Sequence, residues 1–469
     1  MADADPRDAL FDTALNLLWT TAVPGAADRR HPLRDSAYYA VALLDRRTPA
    51  ADRRAHAVVA AVLDHQYDAP DDPYHGTVPR FHEDRRPPRG HDAVCWVDYD
   101  PNWREFIGMA LCRALSDHGD RLPGPLVARI DRFLRLACEG GIARELPILY
   151  TNPAMMECFL SVYAGHRLRK ERFLSHGLAK AQAIHDQFRR HDAFDEYNTP
   201  TYYGIDLDAL DHWMRYAPHP TLVTLARDME ARLWQDVGRF YHAGLANLCG
   251  PFDRAYGMDM RAYNSGLGGY IKAAVPEVPL NDPAVPAAAV RVPADVLPHL
   301  RAFAGERFVH RTVTTDPIRR VATAWLSDGL MIGGADASYT KTPWSQYCPA
   351  TMHWRLPDGD VGWVRLVHSW PADATAAANR LSIRSFIYAG HAGLPFAYAF
   401  HVRAPGADAA DLSGERWILP GLTVDVAHNV RGPSVESRGD GTFVITYHAR
   451  NYDSGYAPRF DLTTRKTER

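Results

Sequence analysis

Residues 273–296 read AAVPEVPLNDPAVPAAAVRVPADV, a stretch rich in proline and alanine. Proline lacks the backbone N–H that helices and central strands need, so prolines repeated this closely predict a linker. The spacing of apolar residues differs on its two sides, being helical before the stretch and alternating after it. The stretch therefore divides the chain into two regions of different architecture.

The region before the linker has the apolar spacing of amphipathic helices. The segments that show it are 8–19, 37–45, 51–66, 103–118, 124–139, 153–165, 168–190, 205–215, 221–241 and 259–273. Proline-containing junctions that predict helix starts are Asp100-Pro101-Asn102-Trp103, Asn152-Pro153, Asn198-Thr199-Pro200 and Gly250-Pro251. Asn or Asp caps a helix, and proline suits its first turn. The junctions recur about every 50 residues, the length of one helical hairpin with its loops, which predicts an array of hairpins.

From about residue 310 the apolar residues alternate, as they do in half-buried strands. In residues 442–449, TFVITYHA, the alternation puts Phe443, Ile445 and Tyr447 on one face. Residues 355–370 indicate two strands around a Gly/Asp turn. Helices followed by strands predict an α+β multidomain chain rather than alternating βαβ units. The expected domains are an N-terminal (α/α)5-6 helical toroid, residues 1–295, and a C-terminal antiparallel β-sandwich, residues 296–469.

The connections between the predicted helices alternate in length. Those that follow 103–118, 153–165 and 205–215 are tight, whereas the long ones are 67–101, 140–152, 191–202 and 242–258. In a ring of antiparallel hairpins every second helix runs the same way, so all the long connections open on one rim. Long loops gathered at one end of a scaffold usually carry binding and catalysis.

The four long connections concentrate aromatic, amide, arginine and carboxylate side chains. In a sugar-binding cleft aromatic rings stack on pyranose faces, and arginines pair with carboxylate or hydroxyl groups. The candidate substrate-binding residues are His75, Arg80, Trp96, Asp98, Asn102, Trp103, Tyr150, Glu157, Glu196, Asp206, Asp259 and Arg261. His353, within residues 344–354, WSQYCPATMHW, is added as a residue that the strand domain presents toward the rim.

Charge and composition argue against several kinds of partner. The formal net charge of -3 at pH 7 disfavours nucleic acid as an obligate partner. No run of about 18 apolar residues predicts a membrane span, and the N-terminus lacks the features of a signal peptide. The sequence contains neither a Cys/His cluster with metal-ligand spacing nor a Gly-rich phosphate loop after a strand. We therefore expect a cytoplasmic protein without a membrane partner, metal or cofactor; the sequence leaves its oligomeric state open.

A helical toroid followed by a proline-containing linker and an antiparallel β-sandwich resembles the polysaccharide lyases of the chondroitin AC/hyaluronate, alginate and heparinase-like types. The resemblance is architectural and covers nearly the whole chain. In the chondroitin/hyaluronate type the functional residues follow the order Asn, His, Tyr, Arg. Here Asn152, His191, Tyr202 or Tyr203, and Arg254 fall in that order on successive long connections. The resemblance implies a lyase that acts on a carbohydrate.

β-Elimination from a uronic acid removes the proton next to the carboxylate. It requires groups that stabilise charge on the carboxylate, and a group that takes the proton and returns one to the leaving oxygen. The catalytic candidates are Asn152 or Asn198 with Arg254 for the first role, and Tyr202 or Tyr203, with Tyr256, for the second. A tyrosine can serve where neighbouring cations favour the phenolate.

Other functions stay open at this point. An inverting glycoside hydrolase would need a carboxylic acid and a carboxylate base, for which Asp98 or Asp100 with Glu196 or Asp206 are candidates. The same cleft could serve a small-molecule isomerase or cyclase, or bind a glycan without turnover. In every case the expected partner is a carbohydrate or another small molecule.

Overall fold

The structure is a computed structural model. It describes residues 5–263, 265–280, 289–316, 319–336, 346–368, 372–385, 397–449 and 457–467. Within these ranges a helical N-terminal region is followed by a C-terminal region of antiparallel sheets, which confirms the predicted fold class. None of the helices in these ranges combines the length and the apolarity that crossing a bilayer requires.

The helices lie close to the segments with helical periodicity. They are α1 Leu33–Asp45, α2 Pro49–Leu63, α3 Trp103–His118, α4 Gly124–Ala143, α5 Thr151–Arg167, α6 Glu171–Arg189, α7 Tyr203–Arg215, α8 Pro220–Phe240, α9 Gly266–Ala274 and α10 Leu297–Arg301. The start of α2 shows the local chemistry: the Thr48 hydroxyl accepts a hydrogen bond from the Ala51 amide at 3.3 Å, and Pro49 occupies the first turn. The predicted alternation of tight and long connections is seen, with α3–α4, α5–α6 and α7–α8 closely joined.

One predicted helix and one predicted helix start are wrong. Residues 8–19 form a short 3₁₀ turn followed by two short paired strands, β1 Phe11–Asp12 and β2 Leu17–Leu18. The Asp12 carboxylate accepts a hydrogen bond from the Ala14 amide at 2.7 Å, a local bond that competes with the helix. Gly250-Pro251 starts no helix either, since the next one is α9, which begins at Gly266 rather than at the predicted residue 259.

The strands after residue 240 include one short pair and two large sheets. The short pair is β3 Tyr241–His242 with β4 Asn247–Leu248. The other strands are β5 Arg307–Thr314, β6 Arg320–Ser327, β7 Leu330–Asp336, β8 Ala350–Arg355, β9 Val361–His368, β10 Ala372–Ala377, β11 Arg380–Ser385, β12 Ala397–Arg403, β13 Arg416–Leu419, β14 Leu422–His428, β15 Arg431–Ser437, β16 Thr442–His448 and β17 Arg459–Lys466. The described strands form an eight-stranded sheet in the order β15-β16-β12-β9-β8-β7-β6-β5 and a five-stranded sheet in the order β10-β11-β17-β14-β13.

The two large sheets share one apolar core. Trp354 of the eight-stranded sheet and Leu462 of the five-stranded sheet are among its fully buried members. The ring of Phe400, in the eight-stranded sheet, packs against the ring of Trp417, in the five-stranded sheet, with centroids 5.4 Å apart. Each large apolar side chain buried in this way contributes about 1.5–3 kcal/mol. The sheets therefore form a sandwich, as the alternating pattern predicted.

The chain divides into two compact units that are not continuous in sequence. The first comprises Met1–His185 and Ala209–Arg227, and the second comprises Asp186–Asp208 and Asp228–Arg469. The connection before α7 therefore belongs to the same unit as the sandwich and as the loop that follows β4. The domain boundary between residues 295 and 296, inferred from the sequence, stays a prediction.

Strand β7 lies against the loop that follows β4. A Cβ atom built on Gly333 would come within 1.9 Å of the Gly250 carbonyl oxygen, a distance that no packing tolerates. The backbone of the loop therefore lies directly on the sheet, and only glycine permits this approach.

Replacement of Gly333 by alanine is expected to lower the free energy of unfolding by about 2 kcal/mol or more, because the loop must move away from the sheet. Urea denaturation of the full chain measures this difference. Gly414→Ala is the matched control, since a Cβ atom at that position would lie 3.8 Å from its nearest neighbour. Equal stability of the two variants would contradict the close approach.

Candidate active site

The connection before α7 is held by its own polar side chains. The Thr199 hydroxyl accepts a hydrogen bond from the Tyr202 amide at 3.1 Å and so caps the helix. Asn198 has a left-handed backbone with φ of 47°, which asparagine tolerates better than most residues. Its side-chain amide donates to the backbone carbonyls of Cys249 and Pro251, both at 2.8 Å. Thr199 therefore provides the predicted cap, and Asn198 instead ties this connection to the loop after β4.

The loop after β4 is fixed by backbone hydrogen bonds on two sides. Phe252 and Cys348 exchange both of their amide–carbonyl bonds, at 3.0 and 2.9 Å. The Ala255 amide donates to the Gln346 carbonyl at 2.8 Å, and the Asp253 amide donates to the Tyr197 carbonyl at 3.1 Å. These bonds explain why Gly250-Pro251 starts no helix, since the following backbone groups are already paired.

Close contact between glycines brings the start of α7 against the start of α9. A Cβ on Gly204 would lie 2.2 Å from the carbonyl carbon of Gly266. The Ser265 hydroxyl donates to the Pro200 carbonyl at 2.7 Å across the same contact. Tyr202, which immediately precedes α7, is therefore held by a rigid backbone.

Arg254 lies at the centre of the resulting cluster. Its guanidinium donates from Nη1 to Glu196 Oε1 at 2.6 Å, from Nη2 to Tyr202 Oη at 2.6 Å and from Nε to Gln346 Oε1 at 2.9 Å. Arg254 is only 7% exposed and Glu196 only 4%. A buried cation is stable only when it is paired and its donors are satisfied, and this network meets both requirements.

Tyr202 connects this buried cation to the surface. Its hydroxyl is hydrogen-bonded to the hydroxyl of Tyr256, and the Arg254 guanidinium also lies 3.8 Å from the centre of the Tyr202 ring. Tyr202 is 8% exposed, whereas Tyr256 is 60% exposed. A hydrogen-bonded path therefore leads from the buried guanidinium through two phenols to solvent.

Tyr203, the other tyrosine candidate, has a different environment. It is 1% exposed, and its hydroxyl accepts a hydrogen bond from the backbone N–H of Asn198 at 2.7 Å. Burial raises the pKa of Tyr203 well above its ordinary value, and the charge of Asp236 adds to the effect. The environment of Tyr203 thus opposes a phenolate, which separates it from its neighbour.

Asp206 lies in the first turn of α7 and is fully buried. Neither carboxyl oxygen has a hydrogen-bond partner in the described part of the chain. Burial raises the pKa of Asp206 well above its ordinary value, the charge of Glu196 raises it further, and Arg254 opposes both. The environment of Asp206 therefore favours its protonated form, whereas Glu196 is the ion-pair partner of Arg254.

The remaining predicted residues of this unit are bound by other groups. Asp259 and Arg261 pair at 2.8 Å. His353 is fully buried, with Nε2 2.8 Å from the Met258 carbonyl, and burial lowers the pKa of His353 to about 4. The ring of His191 is hydrogen-bonded to Thr315 at 3.1 Å. Among the described contacts, none joins these side chains to the Arg254 cluster.

Other predicted residues gather on the first compact unit. The Asn102 amide donates to Tyr150 Oη at 3.0 Å, and the rings of Tyr150 and Trp96 lie 6.3 Å apart. Arg80 donates to the backbone carbonyls of Trp96 and Val97, at 3.4 and 2.9 Å. Asp98 supports the same loop, because its carboxylate accepts the Val94 amide at 2.7 Å.

The other predicted residues of this unit are largely buried. Asn152 is 1% exposed in the first turn of α5, and Trp103 is 8% exposed. Glu157 is hydrogen-bonded to His176 at 2.7 Å and ion-paired with Lys180 at 2.6 Å. His75 accepts the Ala69 amide at 3.1 Å and lies 3.7 Å from Glu139. That these residues contact a substrate stays a prediction from the sequence.

Two residues that sequence reasoning missed lie in these clusters. Gln346 accepts a hydrogen bond from Arg254, although 92 residues separate them. Arg144 donates to Asn102 Oδ1 at 2.7 Å. Neither sits in a recognisable motif; the only signal was that Gln346 lies in the stretch already noted for His353.

A buried pair of opposite charges lies beside the Asn102 cluster. Arg104 is fully buried and Glu105 is 1% exposed, with Nε and Oε1 3.9 Å apart. Burial raises the pKa of Glu105 to about 7, even though Arg104 and Arg144 both oppose the shift. Glu105 therefore titrates near neutral pH.

Comparison with known proteins gives two family matches. A family model described as Domain of unknown function (DUF8769) matches residues 3–292, and a second, described as Domain of unknown function (DUF8770), matches residues 305–457. None of the curated proteins matches the sequence. The predicted domain boundary lies between the two matched regions.

The solved structures to which the chain is similar include three lyases. Heparinase III is 11% identical with a TM-score of 0.39, over 81% of this chain and 71% of that chain. The chondroitin AC lyase of Streptomyces coelicolor A3, in complex with chondroitin sulphate, is 11% identical with a TM-score of 0.39, over 99% and 83%. A mutant of the heparan sulfate lyase HepC from Pedobacter heparinus is 10% identical with a TM-score of 0.36, over 93% and 76%.

The raised pKa of Glu105 predicts a pH-dependent stability. The folded protein keeps a proton on Glu105 that the unfolded chain releases above its ordinary pKa of 4.5. The contribution of Glu105 to stability is therefore fully present below that pH and is lost, by up to roughly 3 kcal/mol, as the pH rises toward about 7. Glu105→Gln should remove this slope in urea titrations between these limits. The exposed Glu145→Gln is the control, and an unchanged slope in Glu105→Gln would contradict the assignment.

Proposed function

We propose a function for this chain, which belongs to the family described as Domain of unknown function (DUF8769): it is a lyase that cleaves a uronic-acid-containing oligosaccharide or polysaccharide by β-elimination. One observation carries the proposal. The phenol oxygen of Tyr202 accepts a hydrogen bond from the buried Arg254 and is hydrogen-bonded to the exposed Tyr256.

The reaction includes two proton transfers, one from a carbon atom to a base and one from an acid to the leaving oxygen. A base takes the proton from the carbon next to the uronate carboxylate, and the electron pair of that bond forms the new carbon–carbon double bond. The bond from the neighbouring carbon to the glycosidic oxygen breaks, and that oxygen receives a proton from the acid. A phenolate that becomes a phenol in the first step can supply the proton in the second.

Tyr202 fits this role better than the other tyrosines. A guanidinium that donates to a phenol oxygen stabilises the phenolate more than the phenol. A second hydrogen bond, from Tyr256 Oη, can stabilise the same oxygen. Glu196 offsets part of the charge of Arg254, but it also fixes the orientation of the guanidinium. Among the described contacts, the Tyr203 hydroxyl accepts a backbone amide in place of a guanidinium.

We assign the stabilisation of the substrate carboxylate to the amide of Gln346. Its Oε1 accepts from Arg254, and the NH₂ group of the same amide is a donor that can bind an anion. The sequence suggested Asn198 or Asn152 for this role. The amide of Asn198 is committed to two backbone carbonyls, and Asn152, on the first compact unit, stays a candidate.

The described geometry does not favour an inverting hydrolase in this cluster. Such an enzyme needs an acid and a base that both face the glycosidic bond and a water molecule. Asp206 has no exposed surface, and Glu196 is 4% exposed and ion-paired with Arg254. The elimination therefore has the better support from the side chains that are present.

Replacement of Tyr202 by phenylalanine is expected to lower kcat by about 10²–10⁴, the usual contribution of a general acid–base group. Turnover is followed by the ultraviolet absorbance of the unsaturated uronate, with hyaluronan, chondroitin sulfate, heparan sulfate and alginate oligosaccharides as trial substrates. Tyr203→Phe is the matched control: it loses a buried hydrogen bond and some stability but should keep its kcat. Full activity of Tyr202→Phe, or reducing ends formed without absorbance, would contradict the proposal.

Replacement of Asp206 by asparagine separates the two reactions. The amide has the size of the acid and suits a site that disfavours charge, so a lyase that does not use Asp206 should keep its activity within a few-fold. Glu196→Gln should be much less active, because it leaves the buried Arg254 without its counter-charge. The measurement is kcat of both folded variants on the same oligosaccharide. Loss of all activity in Asp206→Asn would instead indicate an acid–base role for Asp206.

A further inference from the structure

The loop of residues 94–99 presents a tryptophan to solvent on the first compact unit. Trp96 is 48% exposed and has a left-handed backbone, with φ of 69°, which is uncommon for a bulky side chain. The loop is firmly held, because the Trp96 amide donates to the Tyr99 carbonyl at 2.9 Å and Arg80 binds two of its carbonyls. A strained and exposed aromatic residue on a rigid loop is a marker of a functional site.

Polar side chains connect this tryptophan to a cation. The ring of Tyr150 meets that of Trp96 at 69°, the Asn102 amide donates to Tyr150 Oη at 3.0 Å, and Arg144 donates to Asn102 Oδ1 at 2.7 Å. Burial raises the pKa of the Cys95 thiol in the loop, and the charge of Arg144 is the strongest influence opposing it. The guanidinium therefore acts electrostatically on the loop that carries Trp96.

Arg144 differs from the other arginines around it. Arg129, Arg132 and Arg135, on the preceding helix α4, are ion-paired with carboxylates at 2.7, 2.7 and 2.8 Å. Within the described residues no carboxylate lies within 4.0 Å of the Arg144 guanidinium, whose hydrogen bond goes to a neutral amide. Its remaining donors can receive an anion in the forked geometry that suits carboxylate and sulfate.

We infer that Trp96, Tyr150, Asn102 and Arg144 form a subsite for one acidic sugar unit, with the sugar ring on Trp96 and its carboxylate or sulfate on Arg144. The inference rests on the proposed function for its substrate class but not for its chemistry, since it concerns binding alone. Aromatic faces bind sugar rings regardless of their charge, so Arg144 is the residue that selects acidic sugars. A purely structural role would instead be the interaction of Arg144, at the C-terminal end of α4, with the helix dipole.

The test is equilibrium binding by calorimetry to the full-length Tyr202→Phe chain, in which turnover of the ligand should be about 10²–10⁴-fold slower. The probes are hyaluronan and alginate tetrasaccharides, each compared with its carboxyl-reduced, neutral counterpart. Arg144→Gln should weaken binding of the acidic probes about tenfold and leave the neutral ones unchanged. Trp96→Ala should weaken both, and Arg132→Gln, an exposed arginine of α4, should change neither.

Equal affinity of Arg144→Gln and its parent for the acidic probes overturns the inference. A lower melting temperature of Arg144→Gln with unchanged affinity overturns it in favour of the helix-end role. A parent chain that binds none of the probes also overturns the inference. If the wild-type chain binds the acidic probes through Arg144 but forms no unsaturated product, the subsite is supported and the proposed function fails. If the wild-type chain forms unsaturated product and Arg144→Gln binds the acidic probes as tightly as its parent, the proposed function is supported and the subsite fails.

Discussion

The buried guanidinium of Arg254 is the interaction on which the candidate active site depends. A cation removed from water costs several kcal/mol unless its charge and donors are matched, and loss of one partner of such a pair costs about 3–5 kcal/mol. Its partners come from distant parts of the chain: Glu196 and Tyr202 precede it, and Gln346 follows it by 92 residues. Satisfying this single group therefore fixes the relative positions of three segments.

The backbone around the cluster is arranged to hold these segments still. The loop that carries Arg254 pairs with residues 346–348 on one side and with Tyr197 on the other. Asn198 joins the two loops through its side chain instead of capping a helix. The consequence is a phenol oxygen placed between a buried cation and an exposed second phenol, where a proton can be held or released with little reorganisation.

Sequence patterns predicted the helices and the strands better than the site. Helix α3 occupies residues 103–118 as expected, because a long amphipathic segment with clear ends leaves few alternatives. Gly250-Pro251 misled the prediction, since proline next to a possible cap is equally suited to a loop whose amides are paired elsewhere in the fold. Tyr202 and Tyr203 are indistinguishable by local sequence, and the structure separates them because one hydroxyl meets a cation and the other a backbone amide. Neither Gln346 nor Arg144 sits in a motif that indicates its role, because only tertiary contacts define those roles.

The central claim is that the Tyr202–Arg254 pair takes a carbon-bound proton from a uronic acid. Its most direct test is a kinetic isotope effect, measured with an oligosaccharide substrate deuterated at the carbon next to the carboxylate. The account predicts that the deuterated substrate reacts more slowly and that each cleavage yields an unsaturated uronate. Cleavage at equal rates for both isotopologues, with new reducing ends but no unsaturated product, would contradict it.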